Sequence, residues 1–176
     1  MTVFVPQDVI KAIHAHALST YPEESCGVLI GEISSDFGEP NSDVRVSSFR
    51  RLENIANPER KRDRYELDAQ AFARIEKEFM GKSQGIVGIY HSHPDAPAWP
   101  SPFDLQRAWP SYAYMILSVR QSSIAETRVW RLSQDSQSFI EGKLKGVQDK
   151  CLVNLSNRQG RKSKVVPKET VKEILR

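Results

Sequence analysis

The chain has 176 residues, a formal net charge of +3 at pH 7 and 27% charged residues. This length suits one domain with its own core, and the modest charge does not favour nucleic acid as a partner. No apolar run approaches the roughly 20 residues of a membrane helix, and the N-terminal residues lack the charged and apolar regions of a signal peptide.

The first half of the chain alternates helix and strand patterns. Residues 6–18 place apolar side chains at helical spacing and predict an amphipathic helix. Residues 26–33 and 44–53 predict strands, and the polar segment between them predicts a turn. The charged residues 57–64 predict a loop that is either solvated or faces a substrate.

The second half contains most of the predicted strands. Residues 65–67 predict a short strand, and Asp68 is a good cap for a helix that ends at Gly81. An apolar, β-branched segment then predicts a buried strand that runs to residue 93. Further strands are predicted over residues 113–119, 128–132 and 139–144. This order predicts an α/β domain with a mixed sheet.

The composition becomes polar and basic after about residue 145. We expect one domain over residues 1–145 and a basic C-terminal extension over residues 146–176, with a short helix over 168–175. The extension either docks apolar side chains on the core or binds an acidic partner surface.

The two cysteines, Cys26 and Cys151, lie far apart, and neither belongs to a pair with the spacing of zinc ligands. Cys26 starts an apolar segment and is expected to be a small core residue. We therefore expect a cytoplasmic protein in a reducing compartment, with no membrane or nucleic acid among its partners.

Two histidines stand at the end of the buried strand. Because side chains alternate along a strand, His91 and His93 are predicted to share one face and Ser92 the opposite face. The prolines in residues 95–100 predict a stiff loop after the strand. Ser101 is then a good N-cap that places Asp104 in the first turn of a helix, which the pattern extends to residue 109.

Two imidazoles and one carboxylate suit zinc, and three protein ligands leave a fourth position for water, as in catalytic zinc sites. Alternatives stay open for each part. Asp104 can serve only as a helix cap, and Asp95, His14 or His16 can supply the third ligand. His14 and His16 lie two apart on a predicted helix and do not face each other.

Zinc hydrolysis also needs a group that moves a proton between the attacking water and the leaving amine. Glu23 and Glu24, at the start of the first predicted strand, are the natural candidates. Composition alone favours a solvated role for both.

Three segments together resemble the JAMM (MPN+) metalloprotease family, and most closely its short prokaryotic members. They are residues 22–31, 91–94 and 101–104, with the sequences Pro-Glu-Glu-Ser-Cys-Gly-Val-Leu-Ile-Gly, His-Ser-His-Pro and Ser-Pro-Phe-Asp. The resemblance extends over residues 3–140. It implies the MPN (cytidine-deaminase-like) fold, a curved mixed β-sheet with helices packed on it.

The resemblance also implies the residue roles. Glu24 corresponds to the family's general acid and base, with Glu23 one residue away as the alternative. His91, His93 and Asp104 correspond to the ligands of Zn²⁺. Ser101 corresponds to the serine whose hydroxyl stabilises the tetrahedral oxyanion.

The implied activity is zinc-dependent hydrolysis of the peptide or isopeptide bond after the C-terminal Gly-Gly of a ubiquitin-like or sulfur-carrier protein. An adenylating enzyme of the E1 type is then an expected partner in the same process. A non-catalytic scaffold of the same fold that binds a ubiquitin-like partner is the alternative.

Two other classes fit the sequence less well. The related branch associated with DNA repair usually has Asn between the two histidines, where this chain has Ser92. Zinc nucleoside deaminases require His-x-Glu and Pro-Cys-x-x-Cys, and neither occurs in this sequence.

Overall fold

The computed structural model describes residues 1–39 and 41–148. Its strands and helices, in chain order, are β1 (Thr2–Pro6), α1 (Gln7–Thr20), β2 (Cys26–Glu32), β3 (Val44–Leu52), a 3-10 helix (Pro58–Arg60), α2 (Ala69–Phe79), β4 (Gln84–Pro94), α3 (Pro102–Arg107), β5 (Ala113–Arg120), β6 (Ser123–Leu132), β7 (Phe139–Glu141) and β8 (Lys143–Val147). No helix in this part of the chain is long and apolar enough to cross a membrane.

The strands form one mixed sheet in the order β7-β6-β5-β4-β2-β3-β1-β8. Strand β4 pairs antiparallel with β2 and parallel with β5, and β1 pairs parallel with both β3 and β8. The predicted α/β class with a mixed sheet is therefore confirmed. The histidine strand lies near the middle of the sheet, where neighbours on both sides fix its position.

The sheet is strongly curved. Gly142 donates its backbone N–H to Val129 of β6 at 2.8 Å, and Lys143 donates to Met1 beside β1 at 3.1 Å. The chain thus passes within two residues from one edge of the sheet to the other. The two outer edges must lie side by side, so the sheet is rolled towards a barrel.

The helices pack on different apolar clusters. Helix α1 buries Val9, Ile13 and Ala17 in a cluster that includes Tyr90 and Leu29. Helix α2 buries Phe72 and Ile75 in a second cluster, together with Val28, Ile30 and Ile86. Because Val28 and Leu29 are successive residues of β2, the two helices cover opposite faces of the sheet.

Several boundaries differ from the predicted ones. Strand β1 was not predicted, because its five residues precede the helix without a turn signal. The single strand predicted over residues 139–144 is wrong, since Gly142 separates β7 from β8 on different edges. The predicted strand over residues 65–67 is only an isolated bridge between Asn54 and Leu67.

The third helix is also shorter than predicted. It ends at Arg107 rather than residue 109, because Ala108 already has extended backbone angles. The helix predicted over residues 168–175 lies outside the described residues, as does nearly all of the extension over 146–176.

Candidate metal centre and active site

His91, His93 and Asp104 converge on one point. Nε2 of His91 lies 3.0 Å from Nε2 of His93. The Asp104 carboxylate reaches both rings, with Oδ1 3.3 Å from Nε2 of His91 and Oδ2 3.5 Å from Nε2 of His93. The three residues are 0%, 8% and 4% exposed. The predicted shared face of the two histidines is confirmed.

These three distances fit one bound metal ion. A tetrahedral ion with ligand bonds of about 2.0–2.1 Å separates neighbouring ligand atoms by roughly 3.3 Å, and the three separations lie around that value. The ring of His93 is also prepared for this role, because its Nδ1 lies 2.8 Å from the carbonyl oxygen of Pro97. A proton on Nδ1 donates to that carbonyl and leaves the Nε2 lone pair free for a ligand.

The Asp104 carboxylate is held by the start of its own helix. Oδ2 accepts from the backbone N–H of Ser101 at 2.6 Å, and Ser101 Oγ accepts from the backbone N–H of Asp104 at 3.1 Å. Burial raises the pKa of Asp104, but its position against the His91 and His93 rings and the hydrogen bond from the backbone N–H of Ser101 hold that pKa far below its usual range. Asp104 is therefore a carboxylate, as a metal ligand must be.

Stacking orients the ring of His91. The ring of Tyr65 lies 4.3 Å from it, centroid to centroid, at an interplanar angle of 21°. Nδ1 of His91 is buried and has no hydrogen-bond partner within the described part of the chain. Burial lowers the pKa of His91 despite the nearby Asp104, so the ring is neutral near pH 7 and can act as a ligand.

Glu24 lies beside this group. In the antiparallel register of β2 and β4, Cys26 faces His91, so the same register extended by two residues sets Glu24 opposite His93. Glu24 is 5% exposed, whereas Glu23 is exposed to solvent. Burial, followed by the charges of Asp104 and Asp63, raises the pKa of Glu24 to about 9.

With this pKa, the Glu24 carboxyl group is protonated at neutral pH as long as no cation is bound nearby. A cation held by the two histidines and Asp104 would offset the repulsion from Asp104 and favour the carboxylate. A carboxyl group that changes its protonation in this way is suited to accept and return a proton.

Ser101 stands at the rim of the group and is partly exposed. Its Oγ accepts the cap hydrogen bond from Asp104, and accepting does not use the hydroxyl hydrogen. That hydrogen can still be donated to a substrate oxygen.

The other residues considered as ligands lie elsewhere. Asp95 accepts from the Tyr21 hydroxyl at 2.9 Å and from Arg62 at 3.0 Å. His14 contacts the Thr127 hydroxyl, and His16 contacts the Tyr90 hydroxyl, both at 2.9 Å. Because Tyr90 and His91 are successive residues of β4, His16 lies on the face of the sheet opposite the metal group.

Sequence reasoning missed three contributors to the site. Tyr65 and the Pro97 carbonyl carry no motif, and only the fold brings them to the histidines. Asn54 is buried and donates to the backbone carbonyl of Glu24 at 3.1 Å. A polar residue directly after a predicted strand was the one available signal for Asn54.

An apolar cavity of about 170 Å³ adjoins Asp104. It lies between α2 and α3, and its apolar lining is formed by Leu67, Phe72, Ile89, Phe103 and Trp109. The site thus combines a charged centre with an apolar recess next to it, which is the usual make-up of a ligand-binding pocket.

Comparison with known proteins shows the family of this chain. A model of the prokaryotic homologues of the JAB domain matches residues 6–133. CysO-cysteine peptidase from Mycobacterium tuberculosis (strain ATCC 25618 / H37Rv) is 32% identical over 126 residues, which cover 71% of this chain and 79% of the relative. Desampylase from Haloferax volcanii is 37% identical over 99 residues, which cover 55% of this chain and 63% of the relative.

A solved structure also matches. The solution structure of a protein from Salinibacter ruber has a TM-score of 0.60 and 34% identity, and the match covers 85% of this chain and 93% of that one. The enzyme class predicted from the sequence, a hydrolase, agrees with a relative that is named a peptidase. The chain belongs to the prokaryotic JAB-domain family, as its JAMM (MPN+) motif implied.

Proposed function

We propose that this protein is a zinc-dependent peptidase or isopeptidase that cleaves after the C-terminal Gly-Gly of a ubiquitin-like or sulfur-carrier protein. The observation that carries the proposal is the buried triangle of His91, His93 and Asp104 with Glu24 beside it. This arrangement offers three ligands for one ion and a separate acid that is not needed as a ligand.

His91, His93 and Asp104 would hold Zn²⁺, which when bound lowers the pKa of water to about 7 and polarises a carbonyl group. Glu24 accepts a proton from the attacking water and later returns it to the leaving nitrogen. Ser101 donates its hydroxyl hydrogen to the oxygen of the scissile carbonyl as negative charge develops there.

The substrate assignment is supported by the buried site and by the relatives. Because the metal-binding side chains are almost fully buried, a chain segment without side chains reaches them most easily, and Gly-Gly is such a segment. The name of the mycobacterial relative gives a conjugate of CysO with cysteine as its substrate. The apolar cavity beside Asp104 offers space for a larger side chain near the cleaved bond.

The test is cleavage of a ubiquitin-like carrier fused through its terminal Gly-Gly to a short peptide. We expect release of the peptide at the Gly-Gly bond in the presence of Zn²⁺ and no release after chelation. Mass spectrometry of both products identifies the cleaved bond. A panel of carriers is needed, because the carrier preferred by this chain is part of the proposal.

Two adjacent acids provide a matched control. Glu24→Gln should lower turnover by roughly 10²–10⁴-fold while zinc binding persists, and the exposed Glu23→Gln should leave turnover unchanged. If zinc binds but none of the carriers is cleaved, the proposal fails. Binding of a carrier without cleavage would then support the non-catalytic scaffold.

A further inference from the structure

The side chain of Asn54 uses its full hydrogen-bonding capacity on backbone groups. A carboxamide has two N–H donors and one oxygen with two lone pairs. The four bonds run from Nδ2 to the carbonyl oxygens of Glu24 (3.1 Å) and Arg64 (2.9 Å), and to Oδ1 from the N–H groups of Ala56 (3.0 Å) and Glu66 (3.1 Å). Because every partner is a backbone group, the orientation of the amide is unambiguous.

These bonds connect the segment before β2, which carries Glu24, with the loop after β3, which carries Tyr65. One partner is the carbonyl of Glu24 itself. Two others, on Arg64 and Glu66, immediately precede and follow Tyr65, whose ring stacks on His91. The N–H of Glu24 also donates to the carbonyl of Lys61 at 2.6 Å, in the same loop. The loop after β3 therefore binds both backbone groups of Glu24. Lys61 accepts from its N–H, and Asn54 donates to its carbonyl.

We propose that Asn54 is a positioning residue, which holds Glu24 and the Tyr65 ring at the metal group without touching the substrate. The inference rests on the proposed hydrolase function. Glu24 lies two residues before β2, beyond its last paired residue Cys26. There its own backbone N–H and carbonyl bond to Lys61 and to the Asn54 amide rather than to β4. A displacement of about 1 Å of a reacting group can lower a rate about 100-fold, so this support matters for turnover.

The test compares the same substitution at two sites in one loop. Asn54→Asp keeps the acceptor for Ala56 and Glu66 but sets a carboxylate against the carbonyls of Glu24 and Arg64. Asn57→Asp is the control, because exposed Asn57 only accepts from Glu59 N–H at 3.0 Å, which Asp also does. Asn54→Ser keeps one hydroxyl donor and serves as the second variant if Asn54→Asp does not fold.

We expect Asn54→Asp or Asn54→Ser to lower kcat about 100-fold at unchanged KM. Both variants should still bind one Zn²⁺ per chain, since none of the ligands is altered, and Asn57→Asp should retain the wild-type kcat. Thermal unfolding confirms that each variant is folded at the assay temperature.

A double-mutant cycle separates positioning of Glu24 from general stabilisation. In a Glu24→Gln background, the Asn54 substitution should cause little further loss of kcat, because the group it positions is already gone. A second full loss in that background, or an Asn54 variant as active as Asn57→Asp, overturns the inference. A wild-type protein that cleaves no carrier overturns the proposed function instead, and the inference falls with it.

Discussion

Asp104 binds the backbone of Ser101 through Oδ2 at 2.6 Å while its Oδ1 lies 3.3 Å from Nε2 of His91. One carboxylate therefore completes a helix cap and faces the candidate metal at the same time. From the sequence, a helix cap and a metal ligand were competing interpretations of Asp104. In the structure they are compatible, because the carboxylate reaches the backbone N–H of Ser101 and both imidazole rings at once.

Substituting Ser101 should lower both the stability of the protein and its turnover. Ser101→Ala removes the acceptor for the Asp104 N–H, and we expect a loss of stability of about 1 kcal/mol. It also removes the hydroxyl donor, which should lower kcat by roughly 10²–10³-fold. Ser101→Thr should restore most of both properties. Urea unfolding and steady-state kinetics measure them.

The control for that variant is another helix cap. Asp68 accepts from the backbone N–H of Gln70 at 2.8 Å at the start of α2. Asp68→Ala should cost a similar amount of stability and leave kcat unchanged. An equal loss of kcat in both variants would mean that Ser101→Ala lowers turnover through the lost helix cap and not through the lost hydroxyl donor.

The buried carboxyl group of Glu24 should make the metal-free protein sensitive to pH. Its pKa is about 9 in the folded chain, against a usual value of 4.5. The folded state therefore binds more protons than the unfolded state between these values, and the free energy of unfolding falls as the pH rises. Metal-free Glu24→Gln should equal the wild type near pH 4 and be more stable at pH 8, as measured by urea unfolding. A constant difference across this range would contradict the assigned cause.

Zinc binding should release a proton from the same carboxyl group. At pH 7.5 the Glu24 carboxyl is protonated in the metal-free protein and ionised beside a bound cation. Calorimetry in buffers of different ionisation enthalpy should give about one more proton released by the wild type than by Glu24→Gln. Equal proton release by the two proteins would show that Glu24 does not respond to the metal.

The Tyr65 ring should support the metal ligand on which it stacks. Tyr65→Leu keeps an apolar side chain but removes the flat surface against His91, and outer partners of metal ligands typically contribute 10–100-fold to metal affinity. We expect a zinc dissociation constant raised by roughly that factor. Tyr65→Phe keeps the ring and should bind zinc like the wild type. Competition with a chromophoric chelator gives both constants.

The parts of the site that lie on regular elements were predictable from the sequence. Alternation along a strand placed His91 and His93 together, and cap chemistry placed Asp104 in the first turn of the next helix. The zinc ligands and the roles of Glu24 and Ser101 were implied by the family resemblance, and those roles remain proposals.

The remaining parts depended on contacts between distant segments. Tyr65 meets His91 because the loop after β3 folds back over β4, and no local pattern encodes that path. The strand predicted over 139–144 failed for a similar reason, since the residues before and after Gly142 pair with different neighbours. Residue propensity predicts that a segment forms a strand, but it does not predict which strand will pair with that segment.

Residues 139–147 form β7 and β8, the two outermost strands of the curved sheet. Strand β7 covers the open side of β6, and β8 covers that of β1. An exposed strand edge invites pairing with other molecules, so we expect the pairing of β7 and β8 to limit self-association at both edges. The match to the family ends at residue 133, before β7 begins. A shortened version that stops at that boundary would uncover both edges together and should aggregate, although every residue of the candidate metal centre would be retained.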